Sequence, residues 1–224
     1  MITMQEWKAM GDKEQSLWLE ENCPVNGRGG PRKPLHGVGI NDAMYCQQPT
    51  IEGGRVRDPA YLFWNGMIRR AYDAIYHEKQ PTYIGVVVCD EWLSFTAFRI
   101  WWLEHQVDGF AIDKDVVGCG KLYSPENCIF IPQWINNFTT DSGASRGEWP
   151  IGVSFDKRDM RFRAHCRNPI SGKLENPGYF STPEAAHLAW RTRKLELAIE
   201  LRPKMDEIDM RIYPRVIEII NSAK

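Results

Sequence analysis

One alternation of side chains constrains the fold of this chain most. Over five consecutive residues, cationic and apolar groups take turns, in the order Arg161, Phe162, Arg163, Ala164 and His165. Because successive side chains of a β-strand point to opposite faces, this pattern predicts a strand with one cationic and one apolar face. The apolar face needs a covering element, and the cationic face is left outward.

The flanking segments predict the rest of a small sheet and its cover. PIGVSFD precedes the alternating strand and NPGYFST follows it, and both have the pattern of strands. Thr182 is a predicted N-cap, and Pro183 suits the first position of a helix. That helix offers the sheet a stripe made of Ala185, Ala186, Ala189 and Trp190. We therefore expect a three-stranded antiparallel sheet with one helix behind it.

The net charge of −1 hides an asymmetry along the 224 residues. Residues 146–194 carry ten Lys or Arg and five Asp or Glu, a net charge of +5, whereas residues 1–145 carry −5. A cationic segment in an otherwise acidic chain favours a polyanion partner, for which we predict double-stranded DNA. The predicted DNA-binding residues are Lys157, Arg158, Arg161, Arg163, His165, Arg167 and Lys173. The alternative is a solvated basic face without a ligand.

The same segment resembles the AP2 DNA-binding domain. The resemblance rests on Gly152-Val153, on the alternating strand, on the run from Gly178 to Thr182, and on the helix start Glu184-Ala185-Ala186. It covers about residues 147–194, with Phe162 where the family commonly has Trp. It implies a sheet that enters the major groove, where arginines can bind guanine edges while neighbouring cations bind phosphates.

Residues 109–138 predict a second unit, in the order strand, long loop, strand, helix. Phe110 to Lys114 alternate like a strand, and Cys128 to Ile131 form the next one. Pro132 suits the first position of the helix that follows.

This order places three oxygen-bearing side chains where they can converge. Asp113 lies at a strand end, Asn127 lies just before the second strand, and Asn136 lies one turn into the helix. Hydrolysis of a phosphodiester with a hard divalent cation needs oxygen ligands of this kind on rigid elements.

At these residues the chain resembles the metal-binding end of phage HNH homing endonucleases. The runs I-D-K-D at residues 112–115 and N-C-I-F-I-P-Q-W-I-N from Asn127 to Asn136 carry the resemblance, within an ordered series over about residues 58–138. It implies a divalent-metal endonuclease that uses Mg²⁺ or Mn²⁺. By position, Asp113 and Asn136 would be metal ligands with Asp115 beside them, and Asn127 would brace the loop.

Lys114 stands where these nucleases have their catalytic histidine. An ordinary lysine has a pKa near about 10.4 and is a poor base at neutral pH, unless burial or cationic neighbours lower that pKa. Lys114 could instead hold the scissile phosphate as a point charge, or catalysis could be lost. A base from elsewhere is the remaining alternative, with His36, His77 and His105 as candidates.

The carboxylates also have plainer interpretations. Asp113 and Asp115 can cap a turn without binding a metal ion. Asp42, which follows two glycines, is favoured as a turn residue over an additional ligand of the same site.

The first hundred residues are predicted to be mainly helical. ITMQEWKAMGDKEQSLWLEENCP has the pattern of one amphipathic helix, and VNGRGGPRKP is favoured as a hinge over a phosphate-binding arm. HGVGINDAMY predicts a short strand and turn. Asp58 is a predicted N-cap of the helix in DPAYLFWNGMIRRAYDAIY, with Pro59 in its first position.

A buried strand is predicted from Ile84 to Cys89. An aromatic helix follows from about Glu91 to Gln106, and its Trp and Phe residues are interpreted as core rather than as a base-stacking surface.

These segments together predict an α+β chain with a polar linker, TTDSGASRGEW, between its two main parts. Pro203 and Pro214 are expected to break the tail into short helical pieces. The predicted domains are an N-terminal helix and linker region at residues 1–57, an HNH-like ββα-metal nuclease domain at 58–140, an AP2-like domain at 146–195, and a helical tail at 196–224.

Cysteine spacing and the length of apolar runs indicate the cellular compartment. Six cysteines without a CxxC pair indicate buried thiols in a reducing compartment, and this spacing disfavours a zinc site from Cys46, Cys89, Cys119 and Cys128. No apolar run approaches the roughly 20 residues of a membrane span, and the start lacks the apolar core of a signal peptide. We expect a cytoplasmic protein without a membrane partner, in the host bacterial cytoplasm if the chain is phage-encoded.

The leading hypothesis is a phage-type HNH-like endonuclease that binds double-stranded DNA through an AP2-like sheet. The alternative is a catalytically inactive DNA- or protein-binding factor on the same scaffold, such as a regulator or an inhibitor of host defence with a host protein partner. Lys114 favours the alternative. An RNA-directed version of either activity is disfavoured, because the chain has no aromatic-rich ribonucleoprotein motif.

Overall fold

A computed structural model describes residues 2–25, 32–118, 120–140 and 147–224. Its contacts divide the chain into two compact units, Met1–Phe130 and Ile131–Lys224. Cys119, Arg146, most of the linker VNGRGGPRKP and part of the linker TTDSGASRGEW lie outside the described residues. The predicted domain boundaries stay predictions.

The predicted N-terminal helix is two helices, so that prediction was wrong in its extent. In α1 (Met4–Ala9) Thr3 forms a capping box with Glu6, and α2 spans Asp12–Asn22. Met10 has an extended backbone between them. Gly11 separates the two helices, and Oδ1 of Asp108 accepts a hydrogen bond from the Asp12 amide at the start of α2, at 3.1 Å. A contact from a distant segment therefore accompanies the break in the predicted helix.

The helix that begins after Asp58 is confirmed. In α3 (Pro59–Tyr72) the Asp58 side chain accepts a hydrogen bond from the Ala60 amide, and Pro59 occupies the first turn. The predicted continuation to Ile75 was wrong, because Asp73 ends α3 and caps a second helix, α4 (Ala74–Lys79). The buried stripe of α3 consists of Trp64, Met67, Ile68 and Ala71.

The aromatic segment is a core element, as predicted. A short 3₁₀ helix (Asp90–Leu93) precedes α5 (Phe95–His105), and the Ser94 hydroxyl caps α5 by accepting from the Ala97 amide. The prediction of one helix from Glu91 was therefore wrong at its start. The fully buried aromatic side chains here are Trp92, Phe95, Phe98 and Trp102.

The strands of the first unit are short. Only Val87–Val88 (β3) of the predicted strand Ile84–Cys89 forms, because a 3₁₀ helix at Pro81–Tyr83 carries the chain to an exposed Ile84. HGVGINDAMY forms a turn with isolated bridges rather than a strand. The remaining strands are β1 (Thr50–Ile51) paired with β2 (Gly54–Arg55), β4 (Phe110–Asp113) paired with β6 (Ile129–Pro132), and β5 (Leu122–Tyr123), which runs parallel to β3.

The predicted three-stranded antiparallel sheet is confirmed in the second unit. Its order is β7 (Val153–Asp156), β8 (Arg161–Arg167) and β9 (Leu174–Phe180), with β8 in the centre. β9 begins earlier than NPGYFST, and its register against β8 shifts between Ala164 and Cys166.

Among its described residues, the second unit also contains three helices: α6 (Gln133–Thr139), α7 (Pro183–Asp206) and α8 (Ile212–Ser222). Thr182 caps α7 as predicted. The predicted break at Pro203 was wrong, because buried Leu201 and Met205 hold the helix through it. Pro214 lies in the first turn of α8, where its missing N–H costs no helical hydrogen bond.

The chain as described is a mixed α/β protein. Among the described residues, no helix combines the length and the apolar character that crossing a membrane requires.

Gly152 gives a test of how tightly α7 packs on the sheet. A Cβ at Gly152 would lie 2.1 Å from two ring carbons of Trp190, and its φ is +78°. We expect Gly152→Ala to lower the free energy of unfolding by about 2–4 kcal/mol, from overpacking and left-handed backbone strain together.

Gly172→Ala is the matched control, measured by the same chemical denaturation. Gly172 has a φ of +68° but no atom within 4 Å of its Cβ position, so only the backbone strain applies. Equal losses in the two variants would contradict the packing argument.

Candidate functional site

The first candidate site is the outer face of the C-terminal sheet. Strand register places Arg163 between Ser154 of β7 and Tyr179 of β9, and it places Arg161 opposite Asp156. Directly opposed residues of antiparallel strands share a face. The structure therefore brings Arg161 and Arg163 together on one face, as the alternation predicted.

The inner face of the same sheet is apolar and covered. Ala164 and Cys166 of β8 are buried, as are Ala186 and Trp190 of α7. Because Ala164 and Cys166 point inward, the intervening His165 lies on the outer face together with Arg167. At the other end of the inner face, three rings pack against one another with centroids 4.9–6.2 Å apart, namely Trp149, Phe155 and Phe162.

The predicted DNA-binding cations differ in how they are engaged. Arg158 forms a bidentate ion pair with Asp159, and Arg167 donates to the Gly172 carbonyl at 3.1 Å. Lys157 and Lys173 are exposed at the two connections of the sheet. In the described part of the chain, neither lysine has an ion pair.

Arg161 and Arg163 are the cations of the outer face with the most unused bonding capacity. Arg161 is exposed and has no ion pair among the described residues. The Nε of Arg163 is buried and has no hydrogen-bond partner within those same ranges. A buried donor without an acceptor is unfavourable, so the described residues leave part of the bonding capacity of this guanidinium unused.

His165 is half-buried on the same face. Burial lowers the pKa of His165 below its usual 6.5, and the nearby charge of Arg163 acts in the same direction. His165 is therefore neutral at pH 7 and available as a hydrogen-bonding group rather than as a charge.

The second candidate site is the loop that follows β4. Asp113 ends this strand, and its Oδ1 accepts hydrogen bonds from the amides of Asp115 at 2.8 Å and Val116 at 2.7 Å. Burial raises the pKa of Asp113, against the opposing effect of these amides. Asp113 thus caps a turn, as its plainer interpretation holds, and this capping uses only one of its two oxygens.

Lys114 is buried beside this turn. Its Nζ donates to Oδ1 of Asp115 at 2.8 Å and lies 5.4 Å and 5.7 Å from the ring centres of Tyr123 and Tyr83. Arg70 donates to the Tyr123 hydroxyl at 2.9 Å. Lys114 therefore lies near a second cation, Arg70, and near two tyrosine rings.

Sequence reasoning did not identify Arg70, Tyr83 and Tyr123 as members of this cluster. They come from α3, the 3₁₀ helix and β5, which are distant in sequence. No local motif points to any of the three.

Asn127 lies against the same loop. A Cβ built on Gly118 would lie 2.8 Å from Cβ of Asn127 and 2.6 Å from the carbonyl oxygen of Lys114. The loop between β4 and β5 therefore runs close to Asn127, and the predicted bracing role of its side chain stays a prediction. Asn136 lies in α6 of the second unit, so its predicted role as a ligand stays a prediction.

The alternative catalytic groups all have structural partners. His36 lies 3.6 Å from Asp73, His77 contacts the Arg70 carbonyl, and His105 contacts the Trp101 carbonyl at 2.8 Å. Asp42 accepts from the Ser94 hydroxyl and the Thr96 amide at the start of α5. These contacts give each group a structural role that does not involve catalysis.

The described cysteines differ in their exposure to solvent. Cys46 is exposed, Cys89 is half-buried, and Cys128 is buried with its pKa raised to about 12 by burial. Within the described ranges, no group of three or more His, Cys, Asp or Glu side chains is placed to hold a metal ion.

Comparisons with models of protein families, with curated proteins and with solved structures find no match to this chain.

The capping role of Asp113 can be tested by substitution. We expect Asp113→Ala to lower stability by about 1–2 kcal/mol, because two amides of the turn lose their acceptor. Asp113→Asn keeps the acceptor oxygen and should remain close to the wild-type stability.

The pH dependence of the same pair of proteins tests the burial of the carboxyl group. Because the folded-state pKa of Asp113 is raised, the wild-type protein loses stability as pH rises through that pKa, whereas Asp113→Asn does not titrate there. Thermal unfolding measured at increasing pH from pH 3 should therefore show the stability of the Asn variant rising relative to that of the wild-type protein. A relative loss would contradict a raised pKa.

Proposed function

We propose that this chain binds double-stranded DNA through the outer face of its C-terminal sheet and is an endonuclease of the HNH homing type. The observation that carries the DNA-binding proposal is the presence of Arg161 and Arg163 side by side on the central strand, outside the ion pairs of the described chain. A small antiparallel sheet fits a major groove, and guanidinium groups are the donors best suited to guanine edges and phosphates.

Neighbouring cations extend this surface beyond the central strand. Lys157 and Arg158 lie in the turn between β7 and β8, and Lys173 lies just before β9. Flexible cations at the edges of a DNA-binding surface contact phosphates and set the register, whereas arginines on the strand contact bases. By contrast Arg193, which lies on α7, is bound by Glu175, Glu196 and Glu200 and does not contribute to the surface.

The nuclease proposal rests on the loop after β4 and on the resemblance of its sequence to HNH enzymes. Asp113 and Asp115 supply carboxylate oxygens, the ligand type that Mg²⁺ and Mn²⁺ prefer, and each uses only one oxygen in the hydrogen bonds described above. A bound cation would supply Lewis-acid stabilisation of charge on the leaving oxygen. Lys114, held by Asp115, would bind the scissile phosphate as a point charge.

One observation favours the second candidate, a DNA-binding factor without catalysis. The ammonium group of Lys114 occupies the neighbourhood of both carboxylates and hydrogen-bonds to Asp115. A fixed positive charge there opposes the binding of a divalent cation. The same scaffold would then serve as a regulator or as an inhibitor that binds a host protein.

The DNA-binding proposal predicts a strong effect of Arg161→Gln combined with Arg163→Gln. Loss of both guanidinium groups should weaken binding to a cognate duplex at least about tenfold and reduce the discrimination between cognate and unrelated duplexes, because these arginines are assigned to base edges. The measurement is fluorescence anisotropy over a salt series, with fragments of the phage or host genome as a source of duplexes.

A control variant with the same change of charge is Arg202→Gln combined with Lys204→Gln on α7. Both of its residues are exposed on the helix rather than on the sheet. Equal weakening by the two double variants would show that net charge alone governs binding, and the proposed surface would be wrong.

The nuclease proposal predicts nicking of duplex DNA with Mg²⁺ or Mn²⁺. Asp113→Asn should remove the nicking activity, because an amide is a weaker ligand for a hard cation. The control variant Asp90→Asn, at an exposed residue of a 3₁₀ helix, should retain it. Lys114→His should increase the rate if the lysine limits catalysis. Metal-independent DNA binding with no cleavage by wild type or by Lys114→His would instead establish the non-catalytic candidate.

A further inference from the structure

A cavity of about 390 Å³ lies in the second unit, away from the outer face of the sheet. Its walls are mainly apolar, and they include Phe138 of α6, Trp190 of α7, and Ile219 and Ile220 of α8. Lys194 of α7 is a cation among these walls, and it also borders a second, smaller cavity of about 80 Å³. Neither the DNA-binding proposal nor the nuclease proposal uses this lysine.

Lys194 is half-buried, and its ammonium group lacks the partners that normally accompany a charge in apolar surroundings. Its Nζ lies 3.8 Å from the ring centre of Phe138 and 6.0 Å from that of Trp190. Among the described residues it forms neither an ion pair nor a hydrogen bond. The adjacent Arg193 forms ion pairs with Glu175, Glu196 and Glu200, so these carboxylates are paired with Arg193 rather than with Lys194.

This environment changes the charge state of the amine. Burial lowers the pKa of Lys194 to about 8, and only Cys166 opposes that shift. An aromatic ring stabilises the protonated amine, but desolvation is the larger effect here. Compared with a lysine of the ordinary pKa of 10.5, the neutral, nucleophilic form is about 300-fold more abundant at pH 7.

We propose that Lys194 and this cavity form a site that binds a small aldehyde with an apolar body and holds it as an imine. The cavity volume lies in the range that accommodates a small molecule, and its ring and isoleucine walls favour an aromatic or branched aliphatic body over a charged one. A reactive amine at an apolar wall is the arrangement by which lysines capture carbonyl compounds.

The reaction balances without an oxidant or a reductant. The lone pair of Nζ attacks the carbonyl carbon and forms a C–N bond, while the C–O π electrons move to oxygen. A proton passes from nitrogen to that oxygen and gives a carbinolamine. A second proton transfer releases the oxygen as one water molecule and leaves a C=N double bond.

Reductive trapping tests the proposal with benzaldehyde as the probe. The full-length protein is incubated with benzaldehyde and sodium cyanoborohydride at pH 7.5, and peptide mass spectrometry locates the benzyl groups. We expect Lys194 to be labelled at least about tenfold faster than Lys204. This ratio of rates is smaller than the ratio of neutral-amine fractions, because a less basic amine is a weaker nucleophile.

Lys204 is the matched internal reference, because it lies exposed on the same helix. Lys194→Met keeps a flexible apolar side chain in the cavity, and it should lose this fast labelling while Lys204 is still labelled at its slow rate. Labelling of Lys194 at the rate of Lys204 in the wild-type protein would overturn the proposal.

The apolar walls give an independent test of ligand class. Glyoxylate is an aldehyde that carries a charge and lacks an apolar body. Because a larger fraction of neutral amine speeds the reaction with any aldehyde, the ligand class is tested by the ratio of labelling at Lys194 to labelling at Lys204, and we expect this ratio to be lower with glyoxylate than with benzaldehyde. An equal ratio for the two aldehydes would contradict the assigned ligand class, and a circular dichroism spectrum of each variant verifies that the fold is retained.

Discussion

Burial of one face of β8 against α7 is the interaction on which the second unit depends. Ala164 and Cys166 are buried on that face, and Gly152 leaves room for Trp190 to approach the sheet. A slip of one residue in β8 would turn its arginines toward the helix, and desolvating each charge would cost several kcal/mol. The register that fills the core is therefore the register that holds Arg161 and Arg163 outward, and the candidate DNA-binding surface follows from packing.

In the first unit, buried polar groups fix the frame around the aromatic core. Arg99 of α5 donates to both the hydroxyl and the carbonyl of Ser16 in α2. Asp58, wholly buried, caps α3 and accepts a hydrogen bond from the Tyr45 hydroxyl, and burial raises its pKa. Buried polar groups are tolerated only when they are paired, so these bonds specify how the three helices meet.

In the loop after β4, the side chain proposed as a metal ligand is also the one that caps the turn. Asp113 caps its turn with one oxygen and retains the other, while Lys114 binds the neighbouring carboxylate. The sequence indicated the strand end, the carboxylates and the unusual lysine. It could not indicate Arg70, Tyr83 and Tyr123, because their proximity to Lys114 depends on the packing of separate elements.

By itself the sequence determined those features that depend on local periodicity and capping. These are the alternating strand β8, its two neighbours, the caps Asp58 and Thr182, and the buried aromatic helix, because side-chain direction in strands and caps in helices act over a few residues. Only the tertiary structure decided where packing outweighs local preference. It places the Asp108 carboxylate at the start of α2, carries α7 through Pro203, and places half-buried Lys194 beside apolar walls, because such contacts join residues that no local pattern relates.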